Sequence, residues 1–103
     1  MTTVKSASPQ DTSAWLEQDA ALLIDVREAD EHAKESIKGA VLIPLSAFNT
    51  GSLPQDKRLV VHCLGGKRGA QAASQLVDAG FEDVHNLEGG LMAWKKAGLA
   101  TEV

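Results

Sequence analysis

The sequence predicts an α/β domain built on a mainly parallel sheet with helices on both faces. Two observations predict it. Short continuous apolar runs, which suit strands covered on both sides, alternate along the chain with stretches of helical spacing. One of these runs, Arg58–His62, passes straight into a glycine-rich loop and then a helix, the arrangement in which an α/β sheet carries a site at a strand's carboxyl end.

Ser8-Pro9-Gln10-Asp11 marks the first helix: Ser8 suits the N-cap, Pro9 the first turn, and Asp11 a capping-box-like position. This helix turns Trp15 and Leu16 inward and stops near Asp19. Ala21–Val26 is an unbroken apolar run apart from Asp25, as expected of a buried strand. The polar stretch Glu28–Lys38 reads as a short exposed helix turning at Gly39, with Glu28, Asp30, Glu31 and Glu35 as its solvated face. Ala40–Ile43 reads as a second short buried strand, closed by Pro44.

Ser46–Lys57 is mostly loop, broken by Asn49-Thr50-Gly51-Ser52 and Pro54, with one helical turn at Ser46–Phe48. The strand Arg58–His62 leads into Cys63. After the loop Leu64–Gly69, a helix places Ala70, Ala73, Leu76 and Val77 on one face and ends at Gly80. Asp83–Leu87 is the last strand, and Gly89-Gly90 opens a closing helix bearing Leu91 and Trp94, which are read as core together with Trp15.

A length of 103 residues fits one domain over 1–103, long enough to bury a core without disulfides or metals. A net charge of −4 gives no broad basic surface, so nucleic acid is not an expected partner. The single cysteine cannot pair internally, which points to a reducing compartment and a cytoplasmic location. Met1–Ser8 lacks the apolar core of a signal peptide, and Ala20–Ile24 and Ala40–Ile43 are too short to span a bilayer, so no membrane segment is expected. One cysteine with the dispersed His32, His62 and His85 shows no metal-ligand spacing.

The segment that carries chemistry is His62-Cys63-Leu64-Gly65-Gly66-Lys67-Arg68-Gly69. Its glycines permit positive φ, so successive N–H groups can turn toward one point above the sulfur. The following helix start adds unpaired N–H groups and partial positive charge, and Lys67 and Arg68 add full charges. Such a cradle favours a thiolate, the nucleophilic form, and equally a persulfide anion. Taken alone, a single cysteine reads as a small core hydrophobe; the strand, loop and helix around Cys63 reverse that reading. His62 precedes it on the strand, so its side chain takes the opposite face and reads as packed or surface.

Four ordered motifs resemble the rhodanese homology domain over nearly the whole chain. They are Leu23-Ile24-Asp25-Val26-Arg27-Glu28, then Ser36-Ile37-Lys38-Gly39-Ala40 followed by Ile43-Pro44, then Cys63 through Arg68, and finally Gly89-Gly90-Leu91-Met92-Ala93-Trp94. The resemblance implies a sheet of about five strands and a double displacement in which Cys63 takes sulfur from a donor such as thiosulfate or a persulfide. The sulfur then passes from a Cys63 persulfide to cyanide or a thiol, a protein thiol being one open choice of acceptor. No metal or organic cofactor is implied. The loop residues Leu64, Gly65, Gly66, Lys67, Arg68 and Gly69 are the expected substrate contacts, and Asp25 with Arg27 an expected framework ion pair.

The chain departs from the family pattern at Leu64, where thiosulfate-using members often carry arginine, which weakens the case for that donor. Ser36, Lys38 and Leu42 replace a histidine, a proline and an asparagine in the second motif and bear on loop packing. A cysteine phosphatase or arsenate reductase is the nearest rival. Those enzymes place five residues between cysteine and arginine, whereas here four separate Cys63 from Arg68, and no aspartic general acid is evident. A binding module that has lost the reaction is the other rival, against which stands the retention of Cys63, Lys67 and Arg68.

Overall fold

A computed structural model describes residues 3–103; Met1 and Thr2, part of the chain start assessed above for a signal peptide, lie outside the described residues. The strands are β1 (Lys5–Ala7), β2 (Leu22–Asp25), β3 (Val41–Leu42), β4 (Leu59–His62) and β5 (Val84–Leu87). The helices are α1 (Pro9–Glu17), α2 (Ala29–Lys34), α3 (Lys67–Asp78) and α4 (Gly90–Lys96), with a 3₁₀ turn at Leu45–Ala47. The five strands form one parallel sheet in the order β1-β5-β4-β2-β3. The α/β class and parallel sheet read from the sequence are therefore present, and β4, which ends just before Cys63, is the central strand.

The apolar runs fold as strands because both faces are covered. Leu59, Val61 and Cys63 belong to one core cluster, with Ala72, Ala73 and Leu76 of α3. Val60, one residue out of step, belongs to the other, with Leu91 and Trp94 of α4 and the half-buried Trp15 and Leu16 of α1. Alternation along the strand thus sends Cys63 toward α3 and His62 toward the opposite layer. Ser8 caps α1 as expected, its Oγ accepting from the Asp11 amide at 3.0 Å.

Several expectations are corrected. β3 is an edge strand with Val41 exposed, because the sheet order leaves it one neighbour. The strand β1 adds a fifth element without a sequence signal, since Lys5-Ser6-Ala7 buries only Ala7 and has no apolar run. The helix α3 begins at Lys67, so half of the expected loop is its first turn. Its buried face is Gly69, Ala72, Ala73 and Leu76, and Ala70 is exposed. The carboxylates of α2 are not merely solvated: Glu28 accepts from the Ser46 hydroxyl, Glu31 pairs with Arg68, and Glu35 pairs with Lys95.

Candidate active site

Cys63 leaves the sheet at the exit of β4, and the chain turns back toward it within three residues. The amide of Gly66 donates to Cys63 Sγ at 3.0 Å. Gly66 is the N-cap of α3 with φ +110°, a conformation that L side chains rarely adopt, so this turn requires glycine. The sulfur therefore faces an N–H group and the amino end of a 12-residue helix, where unpaired donors and partial positive charge favour an anion.

The rest of the loop is fixed from behind through its carbonyls. The Cys63 carbonyl accepts from the Leu91 amide at 2.9 Å, and the Leu64 carbonyl from the Met92 amide at 3.0 Å. The Gly66 carbonyl accepts from Asn86 Nδ2 at 3.1 Å and from the Ala70 amide at 3.0 Å. In a trans peptide the N–H points opposite to the carbonyl. The amides of Leu64, Gly65 and Lys67 are thereby turned away from α4 and β5. This explains the Gly89-Gly90 pair: α4 must start close enough for its first amides to grip the loop.

His62 contributes to the same grip. Its Nδ1 lies 3.1 Å from the Cys63 carbonyl, which can only accept, so Nδ1 carries the proton. Nε2 is buried without a hydrogen-bond partner among the described residues and lies 3.8 Å from Asp25 Oδ2. Burial holds the ring pKa below its ordinary value, against the pull of Asp25. Of the two readings of His62, packed or surface, the structure gives the packed one, with a hydrogen bond added.

Asp25 and Arg27 form the buried ion pair expected of them. Arg27 Nη2 lies 2.8 Å from Asp25 Oδ2 and Nε 3.0 Å from Oδ1, and the Arg27 amide also donates to Oδ1 at 3.0 Å. Arg27 Nη2 further donates to the Glu35 carbonyl at 2.7 Å, and His32 Nδ1 to Asp25 Oδ2 at 2.8 Å. Burial opposes ionisation of Asp25, yet Arg27, His62 and His32 outweigh it and lower its pKa to about 2. The β2–β4 register sets Asp25 beside His62, so this network stands directly behind the loop.

The remaining loop residues fall in different settings. Leu64 and Gly65 are exposed, and Gly66 is half-buried. Lys67 is exposed at the first position of α3. Arg68 is held by Glu31 in a two-pronged pair, Nη1–Oε1 at 2.7 Å and Nη2–Oε2 at 3.0 Å. Gly69 is buried against the side chain of Asn86. Cys63 itself is only 1% exposed, so the sulfur is closed off from solvent. A wholly aliphatic setting would make such a cysteine inert; the Gly66 amide on its sulfur sets it apart. Glu31 and Asn86 join the site in addition to the residues expected from the sequence. Asn86 has a signal in the sequence, a polar residue inside the strand Val84–Leu87, whereas Glu31 acts from a distant helix and leaves none.

A family model described as Rhodanese-like domain matches residues 8–97. An uncharacterised protein of Synechocystis sp. is 44% identical over 96 residues, covering 91% of this chain, and the chain spans 54% of that relative's length. A thiosulfate sulfurtransferase of Pseudomonas savastanoi pv. phaseolicola is 34% identical, with 92% of this chain and 91% of that protein covered. The crystal structure of a rhodanese-related protein from Thermoplasma volcanium superposes with a TM-score of 0.86 at 29% identity, covering 95% of this chain and 97% of that one.

Proposed function

The chain belongs to the rhodanese-like family, and from that premise we propose that it is a sulfurtransferase working through a persulfide on Cys63. Cys63 thiolate attacks the outer sulfur of a sulfane donor, thiosulfate or a persulfide or polysulfide. The sulfur–sulfur bond breaks, its electron pair leaves with the remainder of the donor, and Cys63 keeps the transferred sulfur. Cyanide or a thiol then takes that sulfur and frees the thiolate.

The observation that carries this reading is the 3.0 Å hydrogen bond from the Gly66 amide to Cys63 Sγ. A preorganised N–H at a helix start stabilises a sulfur anion without reorganisation during the reaction. The amides of Leu64, Gly65 and Lys67, freed by the carbonyl contacts behind the loop, supply the further donors that a terminal persulfide sulfur needs. We assign Cys63 the catalytic role, Leu64 to Gly69 the donor-facing cradle, and Asp25 with Arg27 its support. One rhodanese domain over residues 1–103, a reducing, cytoplasmic setting and exchange with small donors and acceptors complete the proposal. Among the described residues no helix is long and apolar enough to cross a membrane.

Covalent mass analysis tests it. Incubation with thiosulfate or polysulfide, followed by removal of excess donor, adds one sulfur atom to the wild-type chain, and cyanide removes it as thiocyanate. Cys63→Ser accepts none. A wild-type chain that stays at its starting mass with every donor overturns the assignment.

A further inference from the structure

We propose that the site is built for an organic persulfide carried on a small thiol, and that Glu31 sets this preference by withholding Arg68 from anionic donors. The inference rests on the sulfur-transfer reading and narrows it to a donor class.

The first observation is the Arg68–Glu31 pair. Both prongs of the guanidinium are occupied, at 2.7 Å and 3.0 Å, and a bidentate carboxylate spends the geometry and the charge that would otherwise grip a sulfonate. Glu31 is itself fixed, because its Oε1 also accepts from the Glu28 amide at 3.1 Å in the first turn of α2. Arg68 nonetheless stands in the first turn of α3, two residues after Gly66, whose amide donates to Cys63 Sγ. A cation placed to serve the site is thus engaged elsewhere, and its partner adds negative charge to the neighbourhood.

The second observation is the apolar rim. Leu64, the residue after the nucleophile, is 43% exposed, and Met92, whose amide holds the Leu64 carbonyl, is 61% exposed. Lys67 is then the loop cation without a carboxylate within ion-pair distance among the described residues. Thiosulfate brings two negative charges to a thiolate and leaves as a dianion, which one exposed lysine offsets poorly. A hydropersulfide R–S–SH brings no more than one charge, and an alkyl R group gains by covering Leu64.

The step balances without an oxidant. Cys63 thiolate attacks the terminal sulfur of R–S–SH, the S–S bond breaks with its electron pair on the inner sulfur, and RS⁻ departs. Cys63 is left as Cys63–S–SH. Charge, sulfur and hydrogen are conserved, and the transferred sulfur keeps its oxidation state.

The test is single-turnover loading of the full chain, followed by mass, with thiosulfate and with 2-hydroxyethyl persulfide as alternative donors. The wild type loads from the persulfide with the larger second-order constant. Glu31→Gln keeps an oxygen for the Glu28 amide but releases Arg68, and raises the thiosulfate constant by about fivefold relative to the persulfide, the scale of one partly screened charge. Leu64→Arg, at an exposed position, shifts the same ratio the same way and covers the case in which Glu31→Gln misfolds. A lost structural contact would slow both donors together and leave their ratio unmoved. A wild type that loads faster from thiosulfate, or a ratio unchanged in both variants, overturns the donor assignment while leaving the sulfur-transfer reading intact. No loading from either donor overturns that reading itself and the donor assignment with it.

Discussion

Gly90 at the head of α4 lies against the backbone of Cys63: a Cβ there would sit 2.6 Å from the Cys63 carbonyl oxygen and 2.6 Å from that of Leu64. Its φ of +60° is also left-handed. Two independent penalties therefore meet at one residue, and both fall on the contact that aims the loop amides. Gly90→Ala must push α4 away from the loop or distort the turn. A loss of about 2–4 kcal/mol in stability is expected, the range for overpacking combined with a strained backbone. Urea titration measures it, and sulfur loading of the surviving folded fraction falls as well. A variant as stable and as readily loaded as wild type would show that the close approach has no role.

Asp25 and Arg27 yield a second prediction. The pair is nearly devoid of solvent, with side chains 0% and 4% exposed. Asp25→Asn leaves the guanidinium with an uncompensated buried charge, at a cost of about 3–5 kcal/mol. Acid sensitivity has a defined sign here. The folded-state pKa is lowered from 3.8 to about 2, so the stabilisation is complete above 3.8 and is lost as pH falls toward 2. Glu31, lowered to about 2 chiefly by Arg68, adds to the same window. Equilibrium unfolding from pH 5 downward should show wild type converging on Asp25→Asn; parallel curves would exclude this role for the carboxylate.

The parts legible in the sequence are those in which local pattern and tertiary packing agree. Val60 and Val61 alternate between two covered faces, and a run of such residues has few folds other than a central strand. The cradle was legible because Cys63 and Gly66 are close along the chain, so strand exit, glycine turn and helix start describe one local geometry. β1 was hidden because its pairing with β5 spans most of the chain and buries only Ala7. Glu31 was hidden for a related reason. It looked like one more solvated acid on a polar helix, and its partner Arg68 stands 37 positions away. His62 lay between these cases: alternation gave its face, and the bond to the Cys63 carbonyl depended on how α4 and β2 close around it.

That bond carries a third prediction. Burial keeps His62 below the ordinary imidazole value of 6.5, with Arg27 and His32 acting in the same direction and Asp25 and the Cys63 carbonyl against them. An unfolded chain therefore binds this proton first. The contribution is complete above 6.5 and is lost as pH falls below it, with a slope of at most about 1.4 kcal/mol per pH unit for one proton. His62→Asn can still donate to the Cys63 carbonyl through its amide but cannot titrate. Its stability curve should be flatter than wild type just below 6.5, and an identical slope in both chains would refute the buried neutral imidazole.

The enclosure of Cys63 separates reagents by size. At 1% exposure the sulfur is reached only if its cover opens, and the loop Leu64–Gly66, at the surface with two adjacent glycines to flex, is the segment expected to give way. A methylthiolating reagent needs a small opening, whereas a dye-linked maleimide needs the loop displaced from the Leu91 and Met92 amides. Native labelling by the bulky reagent should therefore be slower by about tenfold than by the small one, each taken relative to its rate on the urea-unfolded chain. Gly65→Pro stiffens the exposed part of that loop and should widen this gap while leaving the unfolded-state rates alone. Equal protection against both reagents would mean that the sulfur is released by global unfolding, and a donor would then have no route to it in the folded protein.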